Sequence, residues 1–210
     1  MATGEAPRRG LLVDWGGVLT TNVFESFQAF CVDEGLRPEL VRDAFLSDPA
    51  ARELLAEFES GRLADADFEE HFGRVLGVQQ PAGLIERLFG GMRADDVMQD
   101  AVAGFKAAGV RTGLLSNSWG TRTYDRRRFD ALFDVLVISG EEGVRKPQPE
   151  IYAIAAQRMG MAPAQLVFVD DLRGNLKPAR ALGIATVHHT DAAATIAQLE
   201  ELLGVVVPAA

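Results

Sequence analysis

The chain has 210 residues, 48% of them apolar and 24% charged, with a formal net charge of −9, which fits a folded globular protein and excludes a disordered one. The acidic balance argues against sequence-independent binding to nucleic acid or to an anionic membrane surface, since both draw on summed positive charge; an anionic ligand must meet a local positive site. The lone Cys31 excludes an intrachain disulfide, the start MATGEAPRRG lacks the apolar stretch of a secretory leader, and no apolar run approaches the roughly 20 residues that span a bilayer, so a cytoplasmic protein is expected.

In chain order, LLVDW (11–15) reads as a strand that ends near Asp14 and runs into Gly16 and Gly17. From 21 to 92 no segment has strand character. VFESFQAFCVDEG, PELVRDAFLSD, PAARELLAEFESG, DADFEEHFGRVLG and PAGLIERLF are of helical type, punctuated by Gly, Pro and Asp. A helix over 95–109, a strand over 111–117 and a strand over 134–140 follow. Then come a helix over 149–160, a strand over 165–171, a helix over 174–183 and a strand over 184–189. The strand segments are continuously apolar rather than alternating, as strands covered on both faces are. The expected fold is therefore α/β, a Rossmann-like parallel sheet with helices on both faces, formed by residues 1–20 and 93–210. Residues 21–92 are expected as a helical insertion packed on that core.

Ligands of open α/β sheets bind at the carboxyl ends of the strands. The polar residues there are Asp14 after LLV, Ser116 and Asn117 after GLL, and Asp170 with Asp171 after LVFV; VRKPQPEIY adds Arg145 and Lys146 before a Pro-led helix. Taken singly, each has a plain structural reading: a turn for Asp14, a helix N-cap region for the acidic pair, a solvated loop for Lys146. Taken together, three carboxylates repel one another unless a cation or protons offset the charge. Hard oxygen ligands of this kind suit Mg²⁺ with phosphate. Lys146, Ser116 and backbone N–H groups would hold phosphoryl oxygens, with Asp14 as nucleophile.

These segments resemble the four motifs of the haloacid dehalogenase superfamily of aspartate-nucleophile hydrolases. LLVDWGGVL corresponds to motif one with Asp14 as nucleophile, GLLSN to motif two with Ser116, VRKPQPEIY to motif three with Lys146, and VFVDD to motif four with Asp170 and Asp171. SNSW, GVRKPQPEIY and VFVDDLRGNLKPARALG are most similar to the phosphatase domain of soluble epoxide hydrolase and to bacterial sugar-phosphate phosphatases. The resemblance implies a helical cap over 21–92, hydrolysis of a small phosphorylated substrate through an aspartyl-phosphate, and Mg²⁺ held by Asp14, Asp171 and the main-chain carbonyl of Gly16, with Asp170 in support. Gly17, Asn117 and Trp119 are expected to contact substrate. Monomer and homodimer are both left open.

One departure matters. Phosphatases of this family usually place a second Asp two residues after the nucleophile, as acid and base toward the leaving group; this chain has Gly16 there, as some phosphatases similar to it do. Glycine keeps the carbonyl but loses acid–base help of about 10² to 10⁴ in rate. The leading expectation is a restricted phosphatase acting on a good leaving group such as a sugar 1-phosphate. A metal-independent 2-haloacid dehalogenase and a non-catalytic phosphate-ligand binding protein are the alternatives.

Elsewhere, Trp119 reads equally as pocket wall and as packing at a helix start. The arginines of TRTYDRRRFD (121–130) read as a solvated face beside Asp125 and Asp130. His188 and His189 read as structural, His71 as surface, and Phe24, Phe27, Phe30 and Phe45 as insertion core.

Overall fold

The computed structural model describes residues 7–120, 124 and 126–207, with residue 127 described through its backbone only. Five parallel strands form one sheet: β1 (Gly10–Val13), β2 (Arg111–Ser116), β3 (Val135–Ile138), β4 (Leu166–Asp170) and β5 (Ala185–His188), in the order β3-β2-β1-β4-β5. The chain is thus an α/β protein of the expected class. Central β1 is buried throughout. It sends Leu11 and Val13 to one apolar layer with Val102, Phe105 and Leu199, and Leu12 to the other with Ile151, Tyr152 and Phe168.

The strands are slightly shorter than their apolar runs. Trp15 lies outside β1 because the chain turns there, Leu19 N–H donating to Trp15 O at 3.0 Å, and its ring packs edge-on against Phe129 at 5.3 Å.

On the first layer lie α6 (Asp96–Ala107), the short α7 (Phe129–Leu132) and α11 (Ala192–Leu203). On the second lie α9 (Pro149–Met159) and α10 (Arg173–Ala181), with α8 (Ser139–Glu142) following β3. Local chemistry sets several ends. Asp95 caps α6 by accepting from Met98 N–H at 2.9 Å, and Gly160 ends α9 at φ +64°, which costs little without a Cβ.

Between β1 and α6 the chain forms α1 (Val23–Asp33), α2 (Leu40–Ser47), α3 (Pro49–Glu59), α4 (Asp65–Leu76) and α5 (Leu84–Phe89). They enclose a separate apolar cluster of Phe27, Phe30, Phe58, Phe68, Phe72 and Leu88 with their neighbours. Phe58 stacks on Phe68 at 4.1 Å and Phe45 on Phe72 at 4.7 Å. The segment leaves and returns at one narrow place, where Thr20 and Ala94 form an antiparallel bridge. Thr21 N–H donates to Arg93 O at 2.8 Å and Asp95 N–H to Leu19 O at 3.0 Å. Among the described residues, no helix is long and apolar enough to cross a membrane.

Candidate active site

Parallel pairing aligns the ends of three neighbouring strands. Val13 stands opposite Leu114 and Val169, and Asp14 N–H donates to Val169 O at 3.0 Å. Asp14, Ser116 and Asp170 therefore emerge at one edge of the sheet, from strands adjacent in space though far apart in the chain.

Lys146 enters this edge from the loop after α8 and is 1% exposed. Its Nζ lies 2.8 Å from Asp14 Oδ1 and 2.7 Å from Asp170 Oδ2, and 5.4 Å from the centroid of Phe168. Its backbone is clamped by Asn117, whose Oδ1 accepts from Lys146 N–H at 2.8 Å and whose Nδ2 donates to Lys146 O at 3.1 Å. Burial alone would lower the Lys146 ammonium, but Asp14 and Asp170 outweigh it and hold the lysine above its ordinary range. Asp14 is pushed well above the usual carboxylate range by burial and by the charges of Asp170 and Asp171, against the pull of Lys146. Its Oδ1 also accepts from Trp15 N–H at 2.7 Å.

Asp170 is fully enclosed and saturated. It accepts from Lys146 Nζ at 2.7 Å, from Leu172 N–H at 2.8 Å and from Asn175 Nδ2 at 3.0 Å on both oxygens. Asp171 is less enclosed; burial and then Asp170 raise its pKa to about 6. Carboxylate oxygens of Asp14, Asp170 and Asp171 all lie within 4.8 Å of one another. Gly17 gives Asp171 its room: at φ +74°, an added Cβ would come within 2.4 Å of Asp171 Oδ2. A cluster of hard oxygens, two of them raised by mutual repulsion and burial, fits a small divalent cation.

Above this edge is a cavity of about 250 Å³. Asp14, Ser116, Asn117, Lys146 and Asp171 form its floor. The helices facing them supply Phe24, Phe27, Phe45, Leu46, Leu55 and Phe89, with Trp119 and Met92 beside them. Among the described residues, the charged groups on that upper side are Arg42 at the rim and Glu59 at the end of α3. Glu59 is 5% exposed; its Oε2 lies 2.5 Å from Arg145 Nε and accepts from Asn117 Nδ2 at 3.1 Å. Burial drives its pKa up to about 7 against the pull of Arg145, Lys146 and Asn117. At the same end of α3, Ser139 Oγ donates to Glu59 O, and just beyond it the Arg62 side chain donates from Nη1 to Gly143 O at 3.0 Å.

Most residues singled out in the sequence converge here. Asn117 uses its amide to clamp the Lys146 backbone and to meet Glu59. Trp119 lines the cavity and stands amid Phe27 at 5.7 Å, Phe68 at 6.0 Å and Phe89 at 5.0 Å, and no described helix starts at it. Phe30 is core as expected, whereas Phe24, Phe27 and Phe45 also face the cavity, because α1 and α2 turn one edge of their apolar stripe toward the sheet. His188 Nε2 lies 3.0 Å from Asp171 O, His189 pairs with Thr195 Oγ1 at 2.9 Å, and exposed His71 bonds within its own helix to Asp67 O at 2.7 Å. Arg126 pairs with Glu141 at 2.7 Å and Arg128 with Asp96 at 3.1 Å; Asp125 lies outside the described residues.

Three site residues had no signal in the sequence. Tyr124 shares a 2.9 Å hydrogen bond with Ser116 Oγ and donates to Asn117 O at 3.1 Å. Asn175 braces Asp170, and Glu59 sits in a segment read only as helix.

A family model of haloacid dehalogenase-like hydrolases matches residues 9–183. Among curated proteins, the chain is 28% identical to acyl-CoA dehydrogenase family member 10 of Mus musculus over 96% of this chain and 20% of that protein. It is 29% identical to a sesquiterpene phosphatase of Aspergillus oryzae, over 70% of this chain and 78% of that one. It is 32% identical to bifunctional epoxide hydrolase 2 of Mus musculus, over 72% of this chain and 27% of that protein. The chain thus spans about a fifth to a quarter of the length of the first and third of these relatives. A haloacid dehalogenase family enzyme of Bacteroides thetaiotaomicron, solved with magnesium and inorganic phosphate, has the same fold at 22% identity and a TM-score of 0.65, covering 87% of this chain and 94% of that one.

Proposed function

The chain belongs to the haloacid dehalogenase-like hydrolases, and from that premise we propose that it is a Mg²⁺-dependent phosphatase whose substrate is a phosphate monoester of a small apolar alcohol. The observation that carries the reading is Lys146 Nζ set between Asp14 at 2.8 Å and Asp170 at 2.7 Å, with Asp171 completing the carboxylate cluster. Asp14 attacks phosphorus, forming an aspartyl-phosphate as the alcohol leaves, and water then hydrolyses the acyl phosphate. Lys146 orients Asp14 and offers charge to the phosphoryl oxygens, and Ser116, held by Tyr124, offers a hydroxyl. Asp14, Asp171 and the main-chain carbonyl of Gly16 would hold Mg²⁺, which when bound offsets the repulsion between the attacking carboxylate and the phosphate dianion. Asp170, saturated by Lys146, Asn175 and Leu172, acts as a brace. The five helices over 21–92 act as a cap that contacts the leaving group.

The upper wall supports an apolar alcohol in preference to the sugar 1-phosphate expected from the sequence. Sugar hydroxyls lose water on entry and need partners there, whereas that wall is mainly phenyl, indole and alkyl groups. A relative is named as a sesquiterpene phosphatase, which agrees with this class. A cluster of three acids would serve no purpose for a metal-free dehalogenase. The test compares phosphate release from decyl phosphate and glucose 1-phosphate with and without Mg²⁺. Preference for the decyl ester is expected; equal kcat/KM on the two would remove the apolar reading, and metal-free chloride release from 2-chloropropionate would favour a dehalogenase.

A further inference from the structure

We infer that Glu59, carried on α3, is the catalytic acid toward the ester oxygen, the task for which residue 16 has no side chain. The inference rests on the phosphatase reading above and deepens it.

An apolar alkyl alcohol is a poor leaving group, so its oxygen needs a proton as the P–O bond breaks. Residue 16 cannot supply it, and the space its side chain would take is closed: an added Cβ would meet Val23 Cγ2 at 2.9 Å. In an in-line displacement the departing oxygen lies on the side of phosphorus opposite the attacking group. With Asp14 on the floor, that oxygen faces the upper wall. Among the described residues, the ionisable groups lining the cavity besides Asp14 and Lys146 are Arg42, Glu59, Tyr124, Arg145 and Asp171. Arginine does not release a proton at neutral pH. Tyr124 is already bonded to Ser116 and Asn117, and burial holds its phenol above its ordinary range. Asp171 belongs to the cation cluster. Glu59 remains, on the leaving-group side.

Its surroundings suit the role. Arg145 and Lys146 face it from the loop after α8, Tyr124 from the segment after β2, and Asn117 from the end of β2; on its own element, Glu57 is turned away to Arg62 at 2.8 Å. Burial outweighs the cations, and a pKa of about 7 leaves a substantial protonated fraction at neutral pH, the range in which one group gives and regains a proton efficiently. The hydrogen bond through Asn117, which also grips the Lys146 backbone, ties the acid to the loop that orients the nucleophile.

The balance closes. The Glu59 proton passes to the ester oxygen as that P–O bond breaks and the Asp14 Oδ–P bond forms, and the alcohol leaves. Glu59 carboxylate then takes a proton from the water whose oxygen attacks phosphorus. The bond to Asp14 breaks, inorganic phosphate departs, and both side chains return to their starting states.

The experiment measures kcat/KM of the wild-type protein and Glu59→Gln on decyl phosphate and on 4-nitrophenyl phosphate, whose leaving group needs little protonation, with saturating Mg²⁺. The expected result is a loss of about 100-fold on the decyl ester, and of less than about a tenth of that factor on the aryl ester, whose retained turnover also reports folding. The wild-type decyl profile should fall above a pH of about 7, where Glu59 loses its proton, with no such limb on the aryl ester. Equal losses on both esters, or no loss on either, overturn the assignment. If the variant does not fold, a wild-type decyl profile without the falling limb does so too. Absence of Mg²⁺-dependent turnover of either ester by the wild-type protein is a different outcome, the failure of the phosphatase reading itself.

Discussion

The Cγ2 methyl of Val23, in the first turn of α1, stands 2.9 Å from the place that a Cβ on residue 16 would occupy. The missing side chain of residue 16 and the seat of α1 are thus two sides of one contact. Gly16→Asp alone therefore overpacks the site and costs about 1 to 3 kcal/mol, visible as a lower melting temperature. Val23→Ala added to it should restore most of that stability. In a Glu59→Gln background the pair should also recover decyl phosphate turnover; stability unchanged by Gly16→Asp alone would show that the contact gives way freely.

Gly17 is a second constrained glycine, for a different reason. At φ +74° and with Asp171 Oδ2 where its Cβ would lie, Gly17→Ala strains the backbone and displaces the carboxylate together. The Mg²⁺ concentration for half-maximal activity should rise at least about tenfold, equivalent to about 1.4 kcal/mol of lost binding. A Mg²⁺ titration of phosphate release reads it.

Asp14→Asn should abolish Mg²⁺-dependent turnover without unfolding the chain. Asp14 is a buried carboxylate raised well above its ordinary range, so its charged form opposes folding, and Lys146 keeps Asp170 when it is gone. The metal-free variant should melt at or above the wild-type temperature at neutral pH, and gain less from added Mg²⁺ than the wild type does. Turnover surviving in this variant would remove Asp14 as nucleophile.

Burial also gives the metal-free protein an unusual pH dependence. Asp171 at about 6 and Glu59 at about 7 lie above the unfolded values of 3.8 and 4.5. Between those limits these two groups hold more protons in the folded chain than in the unfolded one, so their stabilisation is present at the acid end and is lost as pH rises, by up to about 1.4 kcal/mol per pH unit for each proton; His189, lowered by burial, acts in the opposite sense below its ordinary value. Melting temperatures of metal-free protein should fall from about pH 5 to about pH 7.5, and Glu59→Gln should flatten the upper part of that slope. The ion-paired Asp43 and Glu57 are lowered instead and act in the opposite sense, at more acid pH.

Phe24 lines the cavity from α1 and is half-buried. Phe24→Asn should raise KM for decyl phosphate by about tenfold or more, on the basis of about 1.5 to 3 kcal/mol for a fully buried phenyl. It should change the inhibition constant Ki of inorganic phosphate far less. Equal changes in both would mean that Phe24 acts on the floor of the site and not on the alcohol.

The strands and their polar edge are legible in the amino-acid pattern. Continuous apolar runs read as strands covered on both faces, and parallel strands all end at the same edge, so the acids closing LLVD and LVFVDD share that edge; that they meet there follows from β1 and β4 being neighbours in the sheet. The run over 149–160 closes on Gly160, which ends α9 for an equally local reason. The remaining features depend on contacts between distant segments and are not legible in that pattern. Periodicity marks 49–61 as helix, yet says nothing of the burial that lifts Glu59 or of the Arg145 that faces it from far along the chain. Nor does GG reveal that one glycine yields to a valine methyl and the other to a carboxylate. The same holds for the cavity wall: helical spacing gives Phe24, Phe27 and Phe45 an apolar stripe, but only the seating of α1 and α2 over the sheet turns part of it toward Asp14.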